Sequence, residues 1–348
     1  MTTVLVIGAT GAQGAAVLRV LSSTGKYHLL ALTRSATTER AKEIAALPGV
    51  ELIPSGSSVG YNEASFSAAA ARADAVFVNT DGFSLGEALE TFWGIRLFEL
   101  SAKAGVRHLI YSGLDSNQRT SNYNPDLYVG HYEGKARVQE WMHGQDKDAT
   151  MAWTIIRSGP YAEMLNEALR PHQEPGGTYV FALPLGENGE MPFVSLESFG
   201  WYADWALSHR KEARGLDFGI AIEHVGLEKL AKAFTAVTGK KARAQPIPVQ
   251  AWNEVAWAEL PKKGDTKIGF ASVKDDNALH MTYAQNFENW FNLYKASAGN
   301  KGLIQRDYEF LDRILPTRAK TIEDWMRRQD YTGDYKSVLK ADAYRGSS

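Results

Sequence analysis

Closely spaced glycines near the start of the chain are the residues with the clearest chemical meaning. The segment Gly8-Ala9-Thr10-Gly11-Ala12-Gln13-Gly14 follows the apolar run Val4–Ile7 and leads into a helical pattern. Residues without a Cβ let backbone N–H groups approach a phosphate, and the start of a helix adds positive partial charge. An ordinary strand-to-helix turn is the alternative, but the spacing GxxGxxG at the first such turn of the chain predicts a dinucleotide-binding loop.

A single basic residue, Arg34, stands at the end of the second apolar run. It lies 20 residues past Gly14, where an NAD-specific protein places an acidic side chain on the ribose hydroxyls. A guanidinium can instead pair with a 2′-phosphate in a bidentate manner, with the hydroxyls of Thr33 and Ser35 beside it. A solvated arginine at a strand end is the alternative. Because no Asp or Glu competes for the position, the sequence predicts NADP(H) rather than NAD(H).

Short β-branched runs alternate with helical patterns through the first half of the chain. The candidate strands are Val4–Ile7, His28–Thr33, Glu51–Pro54, Ala75–Asn79, His108–Tyr111 and Trp153–Arg157. The candidate helices between them are Gln13–Ser22, Glu39–Leu47, Glu63–Ala71, Gly86–Ala104 and Leu127–His143. This alternation is typical of βαβ units in a parallel sheet that is buried on both faces. It predicts an α/β protein with a Rossmann-type doubly wound parallel sheet.

The pattern becomes less regular after Arg157, where Pro and Gly cluster and the strands become short. We therefore predict a Rossmann domain over 1–157 and a smaller, irregular α/β region over 158–348, part of which packs back on the sheet. Expected helices in this second region are Leu196–Ser208, Gly226–Thr238, Thr282–Ala296 and Tyr308–Ile314.

The composition narrows the classes of protein that remain. The chain has 348 residues, a formal net charge of -2 and no cysteine, so disulfides, thiolate catalysis and cysteine-ligated metals are excluded. A near-neutral charge predicts no direct binding to nucleic acid. No stretch approaches the roughly 20 apolar residues of a membrane span, and the N-terminus has no basic region before its apolar run. The histidines show no metal-ligand spacing, so we expect a metal-free cytoplasmic protein, or a nuclear one if it regulates a partner.

Five segments, in order, resemble the NmrA-like family, a branch of the atypical short-chain dehydrogenase/reductases. They are GATGAQG at 8–14, ALTRSA at 31–36, DAVFVNT at 74–80, VRHLIYS at 106–112 and HYEGK at 131–135, and IIRSGPY at 155–161 extends the match. The resemblance implies a Rossmann domain with a small C-terminal domain, and NADP(H) across the carboxyl edge of the sheet. Members of the family include NADP(H)-dependent reductases and redox-sensing regulators that bind cofactor and a protein partner without turnover.

Position by position, the resemblance assigns cofactor contacts to residues of this sequence. Those implied at the pyrophosphate, the 2′-phosphate, the ribose and the nicotinamide are Gly8, Thr10, Gly11, Gln13, Gly14, Arg34, Asn79, Thr80, Lys135 and Tyr161. The carboxyl ends of parallel strands are where such sheets bind ligands, which agrees with this assignment. One departure is the run Ser55–Ser58, because the family usually has an aspartate after the third strand that touches adenine.

A second departure concerns the catalytic residues. Short-chain dehydrogenases of the usual kind carry a tyrosine four residues before a lysine, whose charge lowers the pKa of the phenol. In this chain Lys135 is present, His131 stands four residues before it and Tyr132 three before it. Both rings share a helix face with Lys135. We expect Lys135 to hold the ribose and His131 or Tyr132 to donate the proton; a packing role for His131 and a solvated Lys135 are the alternatives.

These observations favour an NADPH-dependent reductase of a small aromatic or conjugated carbonyl or imine compound. The usual Ser-Tyr-Lys set is incomplete, but hydride transfer needs mainly proximity and a polarised acceptor. The alternative is a non-catalytic NADP(H) redox sensor that regulates a protein partner through its C-terminal region.

Overall fold

A parallel seven-stranded sheet lies at the centre of the molecule. The structure is a computed structural model and describes residues 1–57, 59–146, 149–256, 264–272 and 280–339. Its strands in the first half of the chain are β1 (Thr2–Val6), β2 (Tyr27–Thr33), β3 (Val50–Pro54), β4 (Ala75–Val78), β5 (His108–Gly113) and β6 (Ala152–Arg157). Those in the second half are β7 (His172–Gln173), β8 (Tyr179–Leu183), β9 (Met191–Pro192), β10 (Asp217–Gly219), β11 (His224–Val225) and β12 (Ala242–Pro246). The central sheet has the order β10-β6-β5-β4-β1-β2-β3.

The sheet is buried on both faces because successive apolar side chains of each strand point in opposite directions. In and directly after β1, Val4 and Val6 belong to one buried cluster and Leu5 and Ile7 to another. Helices α1 (Ala12–Ser23), α2 (Glu39–Ala45) and α7 (Leu196–Ser208) cover the first face, and α3 (Glu63–Ala70), α4 (Gly82–Lys103) and α6 (Gly130–His143) cover the second. The short helix α5 (Asn117–Thr120) lies between β5 and α6 in the chain. The predicted doubly wound Rossmann-type sheet is confirmed.

Two helices begin three or more residues away from the predicted position. Helix α4 starts at Gly82 rather than Gly86, because Asp81 caps it by accepting a hydrogen bond from the backbone N–H of Ser84. Gly86 then interrupts the helix with φ of 74° and ψ of 166°, a conformation that favours glycine. Helix α6 starts at Gly130 rather than Leu127, since Pro125–Leu127 form a separate 3-10 turn.

The second half of the chain forms a smaller and less regular α/β region, as predicted. Strands β12, β8 and β7 make one small sheet, and β11 and β9 make another. Its further helices are α8 (Arg210–Ala213), α9 (Leu227–Thr238), α10 (Val249–Ala256), α11 (Tyr283–Ser297), α12 (Tyr308–Ile314) and α13 (Ile322–Arg328). Large aromatic side chains, among them Phe181, Phe193, Phe234, Trp290 and Trp325, fill its core.

The two halves are joined through the sheet and through a buried ion cluster. Strand β10 pairs in parallel with β6 and so completes the central sheet from the second half of the chain. Beside it, Asp115 accepts two hydrogen bonds from Arg306, at 3.0 and 2.7 Å, and pairs with Arg157. Burial would raise the pKa of Asp115, but the two guanidinium groups outweigh it and hold the pKa below its ordinary value. A division of the chain at residue 157 therefore stays a prediction.

None of the helices described is both long and apolar enough to cross a membrane. Within the residues that the structure describes, no group of three or more His, Asp or Glu side chains is placed to hold a metal ion.

Candidate active site

A cleft of about 260 Å³ opens at the carboxyl ends of the central strands. It lies where the chain leaves β1 and β4, the point at which the strand order reverses and ligands bind in sheets of this kind. The glycine loop lines one end of the cleft, and aromatic and aliphatic side chains line the other.

The glycine loop brings backbone close to backbone at this edge. Gly8 has φ of +75°, and a Cβ at this position would lie 2.5 Å from the carbonyl oxygen of Asn79. Gly11 precedes helix α1, and no side chain caps that end of the helix. The first N–H groups of α1 therefore face the cleft without a side-chain acceptor, which is the arrangement that binds a phosphate. Gly8, Thr10, Gly11 and Gln13 all line the cleft.

Gly14 is the exception among the predicted pyrophosphate contacts. It is not among the residues that line the cleft. A Cβ on Gly14 would lie 2.2 Å from the carbonyl oxygen of Gly8. The absence of a side chain therefore lets α1 pack closely on the loop, and a direct contact of Gly14 with a pyrophosphate stays a prediction.

Arg34 lies at the end of β2, on the rim of the cleft. Its side chain is exposed and has no hydrogen bond or ion pair among the residues that the structure describes. Its neighbour Ser35 does not line the cleft, and its hydroxyl is 3.0 Å from that of Thr37. Arg34 is thus free to pair with an anionic ligand, and a contact from Ser35 stays a prediction.

Gln13 links the glycine loop to two other elements. Its side-chain amide lies 2.9 Å from the hydroxyl of Ser112, at the end of β5, and the phenol of Tyr161 donates a hydrogen bond of 3.3 Å to its Oε1. Burial raises the pKa of Tyr161 far above its ordinary value. The phenol therefore stays protonated at neutral pH and reaches the cleft as a hydrogen-bond donor.

Lys135 occupies the centre of the cleft wall and is almost fully buried. Its Nζ donates to Asn79 Oδ1 at 3.2 Å and to the carbonyl and hydroxyl oxygens of Thr80 at 3.1 Å each. Glu90, which has no exposed surface, lies 3.2 Å from the same Nζ and accepts a hydrogen bond of 2.7 Å from Thr80. Burial raises the pKa of Glu90, and Lys135 opposes the rise. The lysine therefore orients Asn79 and Thr80, and the alternative of a solvated side chain is wrong.

His131 lies one turn before Lys135 on α6 and lines the same cleft. Its ring stacks on Phe83, with 4.4 Å between the ring centroids. Its Nδ1 contacts the amide of Asn286, with Nδ2 at 2.9 Å and Oδ1 at 3.2 Å. Burial lowers the pKa of His131 to about 4, and the nearby charge of Lys135 adds to the effect. The ring is therefore neutral near pH 7, and the role of His131 as proton donor stays a prediction.

Tyr132 points away from the cleft into the core of the second region. Its hydroxyl lies 2.7 Å from that of Tyr294 and accepts a hydrogen bond of 3.1 Å from Trp290 Nε1. The residue is 2% exposed and is absent from the cleft lining. Helix α6 is rotated so that His131 and Lys135 face the cleft together, and the predicted role of Tyr132 as a proton donor there is wrong.

The far end of the cleft is mainly aromatic and aliphatic. Phe83, at the start of α4, stacks against Tyr283 and Phe287 of α11, with ring centroids 5.3 and 6.0 Å apart. Leu85 and Leu114 line the same end. The apolar wall meets the polar cluster of Asn79, Thr80 and Lys135, so an apolar group bound here would lie beside that cluster.

Sequence reasoning missed several residues of the cleft region. Tyr61, Phe83 and Leu339 line the cleft, and Asn286 contacts His131 behind it. Phe83 follows closely after Asn79 and Thr80, the predicted contacts at the end of the fourth strand. Its position after a strand end could therefore have indicated that it lies at the cleft. Asn286 and Leu339 lie far along the chain, and only the packing of the second region brings them close.

The parallel sheet, its strand order and the glycine loop at the switch point define a Rossmann-type protein. A sequence model of the NmrA-like family matches residues 1–325. The chain therefore belongs to the NmrA-like family.

Proteins similar to this chain include oxidoreductases and a transcriptional regulator. An NmrA-like family domain-containing oxidoreductase, hkm9 of Aspergillus hancockii, is 24% identical over 291 residues, which cover 80% of this chain and 84% of the relative. The crystal structure of NmrA, a negative transcriptional regulator, in complex with NADP is 18% identical in sequence to this chain. The match covers 94% of this chain and 97% of that chain, with a TM-score of 0.60. The crystal structure of the NADPH-dependent quinone oxidoreductase QOR2 of Escherichia coli, complexed with NADPH, is 16% identical in sequence to this chain. The match covers 94% of this chain and 99% of that chain, with a TM-score of 0.65.

Proposed function

We propose that the chain binds NADP(H) in the cleft and reduces a small aromatic or conjugated carbonyl or imine compound. The observation that carries this proposal is one continuous cleft, which joins a glycine loop and a free arginine to an aromatic wall. The first part fits a phosphorylated dinucleotide, and the second fits a flat apolar substrate. When bound, NADPH supplies the hydride.

The glycine-loop end fits the cofactor on three counts. A Cβ at Gly8 would collide with backbone, so the loop can hold its compact shape only with glycine there. The uncapped start of α1 offers backbone N–H groups to a pyrophosphate. Arg34 has no partner within the described residues and stands at the rim, where it would pair with the 2′-phosphate.

The polar cluster in the middle would orient the ribose and nicotinamide. Asn79 and Thr80 follow β4 and are held by Lys135, whose Nζ contacts both. Lys135 would therefore act by fixing these two residues and by its positive charge, and Glu90 would keep the ammonium group in place. Tyr161, which lines the cleft beside Gln13, adds a neutral hydrogen-bond donor.

The aromatic end would hold the substrate. Phe83 offers a ring face that a conjugated group can stack on, and His131 offers a neutral imidazole in the same wall. Reduction of a carbonyl adds a hydride to carbon and a proton to oxygen. The chain must therefore exclude bulk water from the acceptor carbon while it leaves oxygen within reach of a donor.

A turnover assay with two parts tests this proposal. The purified chain is first titrated with NADPH and NADH, and then mixed with NADPH and a panel of quinones, aryl aldehydes, enones and cyclic imines. We expect tighter binding of NADPH and its oxidation by at least one class of the panel. Tight NADPH binding with no oxidation by any compound would instead favour the regulator, and co-purification with protein partners would then be the next experiment.

A further inference from the structure

The contact between His131 and Asn286 joins the cleft to the second region of the molecule. His131 lies in the first turn of α6 and Asn286 in the first turn of α11. The two residues are 155 positions apart in the chain, and Asn286 is fully buried. The hydrogen bonds found for its side-chain amide within the described residues both go to His131 Nδ1. The amide is therefore committed to one ring nitrogen.

The orientation of that amide decides which ring nitrogen carries the proton. The amide nitrogen lies 2.9 Å from Nδ1 and the amide oxygen 3.2 Å from it, so the shorter contact is the one in which Asn286 donates. A ring nitrogen that accepts a hydrogen bond carries no proton, and a neutral imidazole then has its proton on the other nitrogen. Nε2 has no hydrogen-bond partner among the described residues, and the residue lines the cleft.

The ring plane is fixed as well as the proton. Phe83 stacks on one face of the imidazole, with 28° between the planes, and Tyr132 meets it edge-on at 4.8 Å between centroids. A 180° rotation about χ2 would keep the ring plane but would place the Cδ2–H group, in place of Nδ1, against the Asn286 amide. The hydrogen bond to Asn286 therefore keeps Nδ1 on the amide and leaves Nε2 for the cleft.

We infer that Asn286 is a positioning residue, which holds His131 as the Nε2–H tautomer so that the neutral imidazole donates a hydrogen bond to the substrate's carbonyl oxygen. This inference rests on the proposed reductase function. The donor polarises the carbonyl and stabilises the negative charge that develops on oxygen as hydride reaches carbon. The proton that completes the alcohol comes from water, so the imidazole ends the cycle unchanged.

Histidine NMR in the NADP⁺-bound protein tests the tautomer without any substrate. The protein is labelled with ¹⁵N in its histidine rings, and the signals of His131 are identified by their loss in His131→Gln. We expect one protonated nitrogen, Nε2, at neutral pH. A proton on Nδ1, or on both nitrogens, at that pH would overturn the inference, whether or not the chain is a reductase.

Two substitutions at position 286 separate positioning from packing. Asn286→Asp places a carboxylate at Nδ1, which should draw a proton to that nitrogen, whereas Asn286→Leu removes the hydrogen bond at similar size. Asn292, on the same helix and without a side-chain hydrogen bond among the described residues, provides the matched controls Asn292→Asp and Asn292→Leu. We expect the altered NMR signature only in the position 286 variants.

Steady-state kinetics on the substrate found by the turnover assay completes the test. Asn286→Leu should lose about 100-fold in kcat, the usual effect of removing one donor to a developing oxyanion, with the Kd for NADPH unchanged. If the NMR signature changes in Asn286→Leu while kcat matches that of Asn292→Leu, then His131 does not contact the reacting oxygen and the inference fails. If wild type shows the Nε2–H tautomer but no compound is reduced, the reductase proposal fails instead, and with it the catalytic part of this inference.

Discussion

The two ends of the cleft are built from different parts of the chain. At the glycine-loop end, the residues come from the ends of neighbouring strands and from the loop between β1 and α1. At the aromatic end, Phe83 and His131 come from the first half of the chain, but the residues that fix their rings, Tyr283 and Asn286, come from α11. The first end depends on backbone shape within one sheet, whereas the second depends on how two regions pack together.

This difference matters for the proposed function. A dinucleotide site made from one sheet edge can be retained while the aromatic end changes, because the two ends share few supporting residues. Lys135 is the main connection, since it contacts Asn79 and Thr80 and stands on the same helix as His131. Variants that act on one end only should therefore separate cofactor binding from substrate selection.

The largest effect is expected from a side chain placed in the glycine loop. In Gly8→Ala the new Cβ would lie 2.5 Å from the carbonyl oxygen of Asn79, and φ is +75°. We expect the Kd for NADPH to rise about 1000-fold, or about 4 kcal/mol, as the loop moves. Isothermal titration calorimetry measures this change. The matched control is Gly25→Ala, where φ is +66° but no atom lies within 4 Å, so binding should be retained.

The second expected effect concerns the choice between NADPH and NADH. Arg34→Asp removes a cation from the cleft rim and replaces it with a negative charge. We expect the Kd for NADPH to rise about 30-fold, or about 2 kcal/mol, the scale of a charge-assisted hydrogen bond, and the Kd for NADH to change little. Titration of both cofactors against the same variant gives the answer. Equal weakening of the two would show that Arg34 does not contact the 2′-phosphate.

A smaller effect is expected at the aromatic end. Phe83→Ala removes a stacking face from the cleft and should raise the KM for an aromatic substrate about 10-fold, close to the free energy of one aromatic contact. The Kd for NADPH should stay within twofold of wild type. Phe92→Ala is the control, since Phe92 lies on the same helix, is 51% exposed and does not line the cleft. A KM effect of the same size in the control would remove Phe83 from the substrate site.

The smallest effect concerns stability in mild acid and needs no ligand. The pKa of His131 is about 4 in the folded chain, well below its ordinary value of 6.5. The unfolded chain therefore binds the proton more readily, so stability conferred by the neutral ring falls as pH drops through 6.5 towards 4. Between pH 6.5 and 5.5 we expect His131 to account for a loss of about 1 kcal/mol in the free energy of unfolding.

Urea unfolding at several pH values measures this contribution. His131→Gln should show a shallower loss of stability with acid than wild type, and His172→Gln, at an exposed position, should follow wild type. Parallel curves for wild type and His131→Gln would mean that the ring is not held neutral by its surroundings.

The glycine-loop end could be predicted from the sequence because its determinants are local. The spacing of Gly8, Gly11 and Gly14 and the position of Arg34 after the second strand are set by a single βαβ unit. Gly14 packs against the loop and does not line the cleft. Local spacing shows that a side chain must be absent, but it does not show whether a ligand or a helix fills the space.

The aromatic end could not be predicted in the same way, because the sequence does not fix the rotation of a helix about its axis. His131 and Tyr132 stand four and three residues before Lys135, and both spacings allow a shared face. The rotation of the helix depends on hydrogen-bond partners in the second region, because Trp290 and Tyr294 bind the Tyr132 hydroxyl there. The seventh strand, β10, was missed for a similar reason, since it is three residues long and pairs with β6 across a long insertion.

The ion cluster of Asp115, Arg157 and Arg306 has a consequence for the order in which the chain assembles during synthesis. When the first half has left the ribosome, β6 is an open edge of the sheet. Asp115 then still lacks its ion-pair partner Arg306, whose side chain is fully buried in the complete structure. Open edges and unpaired buried charges both disfavour a finished native state. We expect the nascent first half to remain incompletely folded until residues beyond 306 emerge, so that the two regions complete their folding together.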